Sequence, residues 1–180
     1  MKPVTRIPDV PVTALDVFRM LPKGTRAEVI NNVLYMSPSP FYQHQSLVME
    51  LAGTIWIHLQ KNKNLGILLV SPFDIYLEEH VSAVQPDILF ISKKNKQIIK
   101  DDGYAHGAPD LIIEVLSKNE QRDCELKKDL YENAGVKEYF MIDPKTKTTE
   151  AFILKGKKYK KAYTRKKYFH SEILKLEFSF

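Results

Sequence analysis

Two carboxylates stand in stretches that otherwise read as buried strands. In PDLIIEVL, residues 109–116, Glu114 is the one polar residue between Leu111 and Leu116. Alternate residues of a strand share a face, so Glu114 lies with Ile112 and Leu116, while Leu111, Ile113 and Val115 point the other way. In QPDILFI, Asp87 follows Pro86 and shares a face with Leu89 and Ile91. A carboxylate on a buried face is costly to desolvate unless a cation or a strong donor meets it. If the two strands are neighbours, both acids converge on one hard divalent ion, Mg²⁺ or Mn²⁺, with the main-chain carbonyl of Val115 as a third oxygen donor. Each acid alone has an ordinary explanation. Asp87 could be a turn residue after proline, as Asp110 is after Pro109, and Glu114 could pair with a buried Arg or Lys. Their joint occurrence in two apolar strands favours the metal.

A cation follows on the next predicted helix, QRDCELKKDLYENAG. Asp123, Lys127 and Tyr131 lie four residues apart and form one stripe, beside an apolar stripe of Leu126, Leu130 and Ala134. Lys127 thus borders the buried face and can reach over the C-terminal end of the Glu114 strand. Lys128 is turned about 100° further round, towards solvent. The ordinary role for Lys127 is an i,i+4 ion pair with Asp123, worth only tenths of a kcal/mol. The two nearby acids tip the reading towards an active-site role.

The elements that must hold these residues alternate along the chain. Thr13 can cap a short helix, ALDVFRM. RAEVI and VLYMS flank Asn31-Asn32 as a two-residue hairpin turn. Ser-Pro-Ser-Pro at 37–40 leads into a helix over residues 41–60, where Leu47, Leu51, Ile55 and Leu59 recur every four residues and Val48, Ala52 and Trp56 widen that face. ILLVS, FDIYLE and DILFIS then read as strands, followed by a polar, Lys-rich stretch from Ser92 to Gly107. After the Glu114 strand comes a helix over 121–134, stopped by Gly135. EYFMID is a strand ended by Pro144, and TTEAFIL forms a final antiparallel hairpin with the Lys/Tyr segment after it. Strands alternating with two principal helices predict an α/β or α+β mixed sheet.

At 180 residues, 44% hydrophobic and 27% charged, the chain suits one soluble domain spanning 1–180. MKPVTRIPDVPV has no apolar core of signal-peptide length, and the most apolar helical stretch, LVMELAGTIWIHL, is too short to span a bilayer. Cys124 is the single cysteine, which rules out an intrachain disulfide and a Cys-based zinc site and suits a reducing cytoplasm. The seven glycines are scattered, without a phosphate-binding fingerprint.

The net charge of +5 is uneven. Residues 155–167, KGKKYKKAYTRKK, hold eight Lys or Arg and no acid, so the remainder of the chain is at −3. Lys157, Lys158, Lys160 and Lys161, with Tyr159 and Tyr163 interleaved, could neutralise phosphates. From this strip alone a solvated hairpin is the leading reading.

YMSPSPFYQHQ, QPDILFI, GAPDLIIEVLS and RDCELKKDLYENAGVKEYFMID together resemble a restriction-endonuclease-like family, formerly catalogued as a domain of unknown function, within the PD-(D/E)XK nuclease superfamily. The resemblance runs over roughly residues 13–160. It implies a restriction-endonuclease-like core with flanking helices and antiparallel hairpins, acting as a metal-dependent DNA endonuclease. It makes Asp87 and Glu114 metal ligands and Lys127 the active-site lysine, and puts Glu28 and His44 at the site's edge. Glu-X-Lys, the general superfamily pattern, would set the lysine at position 116, where this chain has Leu116. The family resembled commonly draws its lysine from the following helix, which suits Lys127; Lys118, just past the strand, is the weaker candidate. The displaced lysine keeps open a second function, a non-catalytic nucleic-acid-binding or interaction module on the same fold. DNA is the expected partner, no membrane is implied, the cytoplasm is the expected location, and a homodimer is one candidate assembly.

Overall fold

The computed structural model describes residues 11–36, 38–117 and 121–180, with the main chain alone for residues 121–124. The chain opens with α1 (Ala14–Met20), whose Thr13 and Asp16 form a reciprocal capping box. A hairpin follows, β1 (Ala27–Ile30) and β2 (Val33–Met36). Its turn residues Asn31 and Asn32 take φ of 49° and 64°, the left-handed pair that matches strand twist in a two-residue turn. Next come α2 (Tyr42–Lys61), β3 (Gly66–Val70), β4 (Ile75–Leu77), β5 (Ser82–Val84), β6 (Ile88–Ser92), β7 (Ala105–His106) and β8 (Leu111–Val115). The C-terminal third is α3 (Gln121–Ala134), β9 (Glu138–Asp143), β10 (Thr148–Lys155), β11 (Lys158–Lys166), β12 (Phe169–Ser171) and β13 (Leu176–Phe178).

The predicted α+β mixed sheet is present. Six strands lie in the order β11-β10-β9-β8-β6-β3. β8 and β9 are parallel, joined by α3 as the crossover, and the remaining neighbours are antiparallel. A Cβ on Gly66 would fall 2.2 Å from the Ile91 carbonyl, so glycine is what lets β3 lie this close to β6. A second sheet, β2-β1-β5-β4-β7, stands beside it, and β12-β13 form a separate ribbon.

The two faces of the main sheet bury different partners. On one, Leu47, Leu51, Ile55 and Leu59 of α2 pack on Ile88, Phe90, Leu111, Ile113 and Val115. On the other, Leu130 and Tyr131 of α3 join Leu89, Ile91, Ile112 and Tyr139, together with Ile30, Ile75 and Val84 of the second sheet. The alternation inferred for the two acid-bearing strands is therefore the one observed, and both acids fall on the α3 side.

Two expectations change, and one segment holds structure the sequence did not show. Trp56 does not widen the buried face of α2; it is 56% exposed. The segment between FDIYLE and DILFIS is not a plain connection: a 3₁₀ turn, Glu78–His80, and the short strand β5 occupy it. The hairpin of β10 and β11 is not the last, since β12 and β13 follow it. Three-residue strands such as β5 and β12 are too short to show an alternation, and their tertiary pairing decides them.

Candidate active site

β6 and β8 run antiparallel with Ile88 opposite Ile113. One step further along this register sets Asp87 across from Glu114, where side chains on one face stand closest. The main-chain N–H of Val115 donates to Asp87 Oδ2 at 2.8 Å, and His44 Nε2 lies 3.1 Å from the same oxygen. His44 reaches it because it projects from the inward face of α2 near the helix start, two residues into the strand-packing register that Leu47 and Leu51 continue. Burial lowers the His44 pKa, yet the hydrogen bond and charge of Asp87 outweigh it, so the net shift is upward.

Glu114 is met from the other direction. Lys127 Nζ is 3.2 Å from Glu114 Oε1, and the Tyr131 hydroxyl donates to that oxygen at 2.8 Å. The same ammonium lies 2.9 Å from Glu28 Oε2, while Glu28 Oε1 accepts from the main-chain N–H of Gln85 at 2.8 Å. Lys127 thus bridges β1 and β8 from the buried side of α3. Its pKa is raised: burial works against the charge, but Glu114 and Glu28 more than offset it. Burial pushes Glu114 up to about 7, with the Lys127 ammonium opposing and the charges of Asp87 and Glu28 adding to the rise. Tyr131, fully buried, is raised well above the ordinary phenol range by burial and then by Glu114.

Glu28, Asp87, Glu114 and Lys127 have side chains at most 15% exposed. Three carboxylates face one ammonium and the His44 imidazole, so acids still outnumber cations in a poorly solvated pocket, which is the condition a divalent cation relieves. Among the described residues no group of three or more His, Cys, Asp or Glu side chains has metal-holding geometry. A cation here would rest on two carboxylates, Asp87 and Glu114, with the Val115 carbonyl. That sparse, all-oxygen set fits Mg²⁺ or Mn²⁺, which keep several waters, and does not fit zinc.

The structure brings Asp87, Glu114, Val115, Lys127, Glu28 and His44 together. Glu28, expected at the site's edge, contacts the Lys127 ammonium directly. Lys118 and the Asp123 side chain lie outside the described residues. Lys128 is less solvated than its helical position suggested, with Nζ 4.4 Å above the Phe152 ring. The sequence places Tyr131 on the Lys127 stripe without giving it a role, and Gln85 is not singled out at all. Tyr131 was findable, because four residues from Lys127 on one helix puts both over the same strand. Gln85 acts through its main chain, which no side-chain pattern reveals.

The basic strip sits apart from this pocket. β11 is the edge strand of the main sheet, with Tyr159 and Tyr163 turned inward and its lysines outward. Lys158 pairs with Glu132 of α3 at 2.6 Å and Lys161 with Glu150 at 2.7 Å. Among the described residues Lys157 and Lys160 make no ion pair.

Comparison with protein families puts a model on this arrangement. The model described as "Uma2: Putative restriction endonuclease" matches residues 15–179. The chain belongs to this family. The match reaches past the roughly 13–160 span of the sequence resemblance and takes in β12 and β13. Comparison with curated proteins finds no match. Among solved structures, the one described as a putative nuclease belonging to DUF820, from Anabaena variabilis, superposes with a TM-score of 0.67. It is 21% identical, with 84% of each chain covered, and at that identity the likeness is one of fold. No described helix of this family member is long and apolar enough to cross a membrane.

Proposed function

We propose that the chain is a metal-dependent endonuclease that hydrolyses phosphodiester bonds in DNA, with Asp87, Glu114 and the Val115 carbonyl as ligands of Mg²⁺ or Mn²⁺. The observation that carries this reading is the excess of carboxylate over ammonium on one buried patch of two adjacent strands. The bound ion would acidify a water and neutralise charge on the scissile phosphate.

The chain's own residues divide the remaining work. Val115 N–H and His44 both hold Asp87 Oδ2, which fixes the carboxylate and leaves Oδ1 for a ligand. Tyr131 fixes Glu114 in the same way. Lys127 is the cation aimed at charge developing on the phosphate, and Glu28, braced by the Gln85 main chain, keeps its ammonium in position. Lys157 and Lys160 would track the DNA backbone without reading sequence, with Lys158 and Lys161 joining once their surface pairs exchange for phosphate.

Absence of lysine at 116 favours a second reading, a nucleic-acid-binding module without catalysis. One assay separates the two: supercoiled plasmid and labelled linear DNA incubated with Mg²⁺ or Mn²⁺, with excess EDTA, and with Asp87→Asn. Cleavage by the wild type in metal that stops in both controls is the expected result. DNA retention without cleavage in any metal selects the binding module.

A further inference from the structure

α2 turns one face to the core, and no described residue covers the other. Leu47, Leu51, Ile55 and Leu59 are buried, whereas Tyr42 is 78% exposed, Met49 74%, Trp56 56% and Ile57 55%. A solvated helix back normally carries charge. In a chain with 27% charged residues, none of the outward positions 42, 45, 46, 49, 53, 56, 57 and 60 is charged. Glu50, at the flank, is tied to Lys147 at 3.1 Å.

Tyr42, Met49 and Trp56 are spaced by seven, so they lie almost in line along the helix, drifting only about 20° per repeat. The row is symmetric about Met49. Set against an antiparallel copy of itself, Met49 meets its twin while Tyr42 and Trp56 exchange partners, as a twofold interface requires. Ser46 and Gly53 flank Met49 with small side chains. Nothing lies within 4 Å of where a Cβ on Gly53 would stand, so that position is open to an incoming side chain.

Charge selects the occupant. The middle of the face carries no charge, and the Glu50 that flanks it in each copy is neutralised by Lys147, so two copies can meet without a net like-charge contact. α2 lies over the β3 side of the main sheet, while basic β11 forms its opposite edge. Two molecules at +5 joined through α2 therefore keep their basic strips apart. The four large side chains offer of order 500 Å², and Gln45, Ser46, Gly53 and Gln60 between them bring each copy towards the roughly 800 Å² of a stable interface.

We propose that this face of α2 is a self-association surface, on which two copies of the chain dimerise antiparallel about a twofold axis at Met49. The proposal goes beyond the nuclease reading and does not depend on it, since its test reads mass and not cleavage.

Sedimentation equilibrium of the full chain at about 50 μM, well above the constant of a micromolar dimer, should give twice 20.8 kDa. Met49→Glu sets two carboxylates against each other at the axis and should give a monomer that keeps the native circular-dichroism spectrum, with a melting temperature that no longer depends on protein concentration. Met49→Lys should do the same, and mixing the two variants should restore a dimer containing one of each. Trp56→Lys is the second route to a monomer if a change at Met49 harms folding. A monomeric wild type overturns the proposal and leaves the face to a different protein. A dimer that survives Met49→Glu and Trp56→Lys also overturns it, and a mixture that stays monomeric refutes the axis at Met49.

Discussion

Glu114 and Glu138 sit on adjacent strands, β8 and β9, both under 10% exposed and both with carboxyls pushed up by burial. They face opposite layers and live opposite lives. Glu138 is surrounded by donors: the Ser171 hydroxyl and the main-chain N–H groups of Glu172 and Ile173 all donate to it. It staples the turn before β13 to the sheet. Glu114 has one phenol and one shared ammonium, with Asp87 and Glu28 adding like charge. A buried acid whose lone pairs its own loop satisfies is architecture. A buried acid crowded by other acids, around a cation they must share, is the arrangement that the proposed metal site needs.

The largest separation between the two should come from charge-only changes. Glu114→Gln keeps the shape and should abolish metal-dependent cleavage while the fold persists. In metal-free buffer it should also raise the melting temperature, by relieving repulsion from Asp87 and Glu28. A gain of about 1 kcal/mol would appear as roughly 2–4 °C in a chain of this size. Wild-type cleavage by this variant would put Glu114 in the same class as Glu138.

Lys127→Met tests the cation. It keeps the length and apolar stem but removes the charge, and turnover should fall roughly 10²–10³-fold, the scale of losing one group aimed at developing charge. Lys118→Met should cost little. Full activity in Lys127→Met with loss in Lys118→Met would reverse the assignment.

Glu138→Ala is the mirror experiment. It orphans a buried hydroxyl and two main-chain N–H groups, so stability should drop by about 2–4 kcal/mol, seen as an earlier chemical-denaturation midpoint. Cleavage per folded molecule should be unchanged. A specific loss of turnover without loss of stability would erase the contrast.

A smaller effect lies in pH. Glu114 has a folded pKa of about 7 against 4.5 for the free side chain, so the folded state favours the neutral acid. Its contribution is fully present below about 4.5 and is lost as pH rises through about 7. Melting temperature in metal-free buffer should therefore fall across that window, and the fall should be shallower in Glu114→Gln. Glu138, Asp74 and His44 are raised too and contribute a slope of the same sign that remains in both proteins. Equal slopes in both proteins would mean that Glu114 titrates normally.

Smallest of all should be the basic strip. Replacing Lys157 and Lys160 by Gln should weaken DNA binding and reduce the salt slope by about two. The same change at Lys158 and Lys161 should matter less, because Glu132 and Glu150 already hold them. An unchanged slope in both pairs would return β11 to a solvated edge strand.

Much of this architecture was legible in the chain because its elements are strongly patterned. The four-residue recurrence from Leu47 to Leu59 marks α2, and Asn31-Asn32 marks its hairpin. The alternation around Asp87 and Glu114 names both the strands and the face they share. Trp56 misled because an apolar residue at the border of a helical stripe reads the same whether it is buried or waiting for a partner. β5 was invisible because Ser-Ala-Val is too short for a period. Of the site, the charged members were readable from the oddity of acids among apolar residues and from the resemblance. Tyr131 was visible on the Lys127 stripe but its bond to Glu114 was not, and the Gln85 and Val115 N–H groups carry no side-chain signal.

Under the proposed function Asp87 and Glu114 together hold one divalent cation. Anomalous scattering from crystals soaked in Mn²⁺ tests it directly. The account predicts a single peak within about 2.5 Å of one oxygen from each carboxylate, lost in crystals of Glu114→Gln. A peak elsewhere, or Glu114 still bonded to Lys127 with no manganese beside it at saturating concentration, would contradict it.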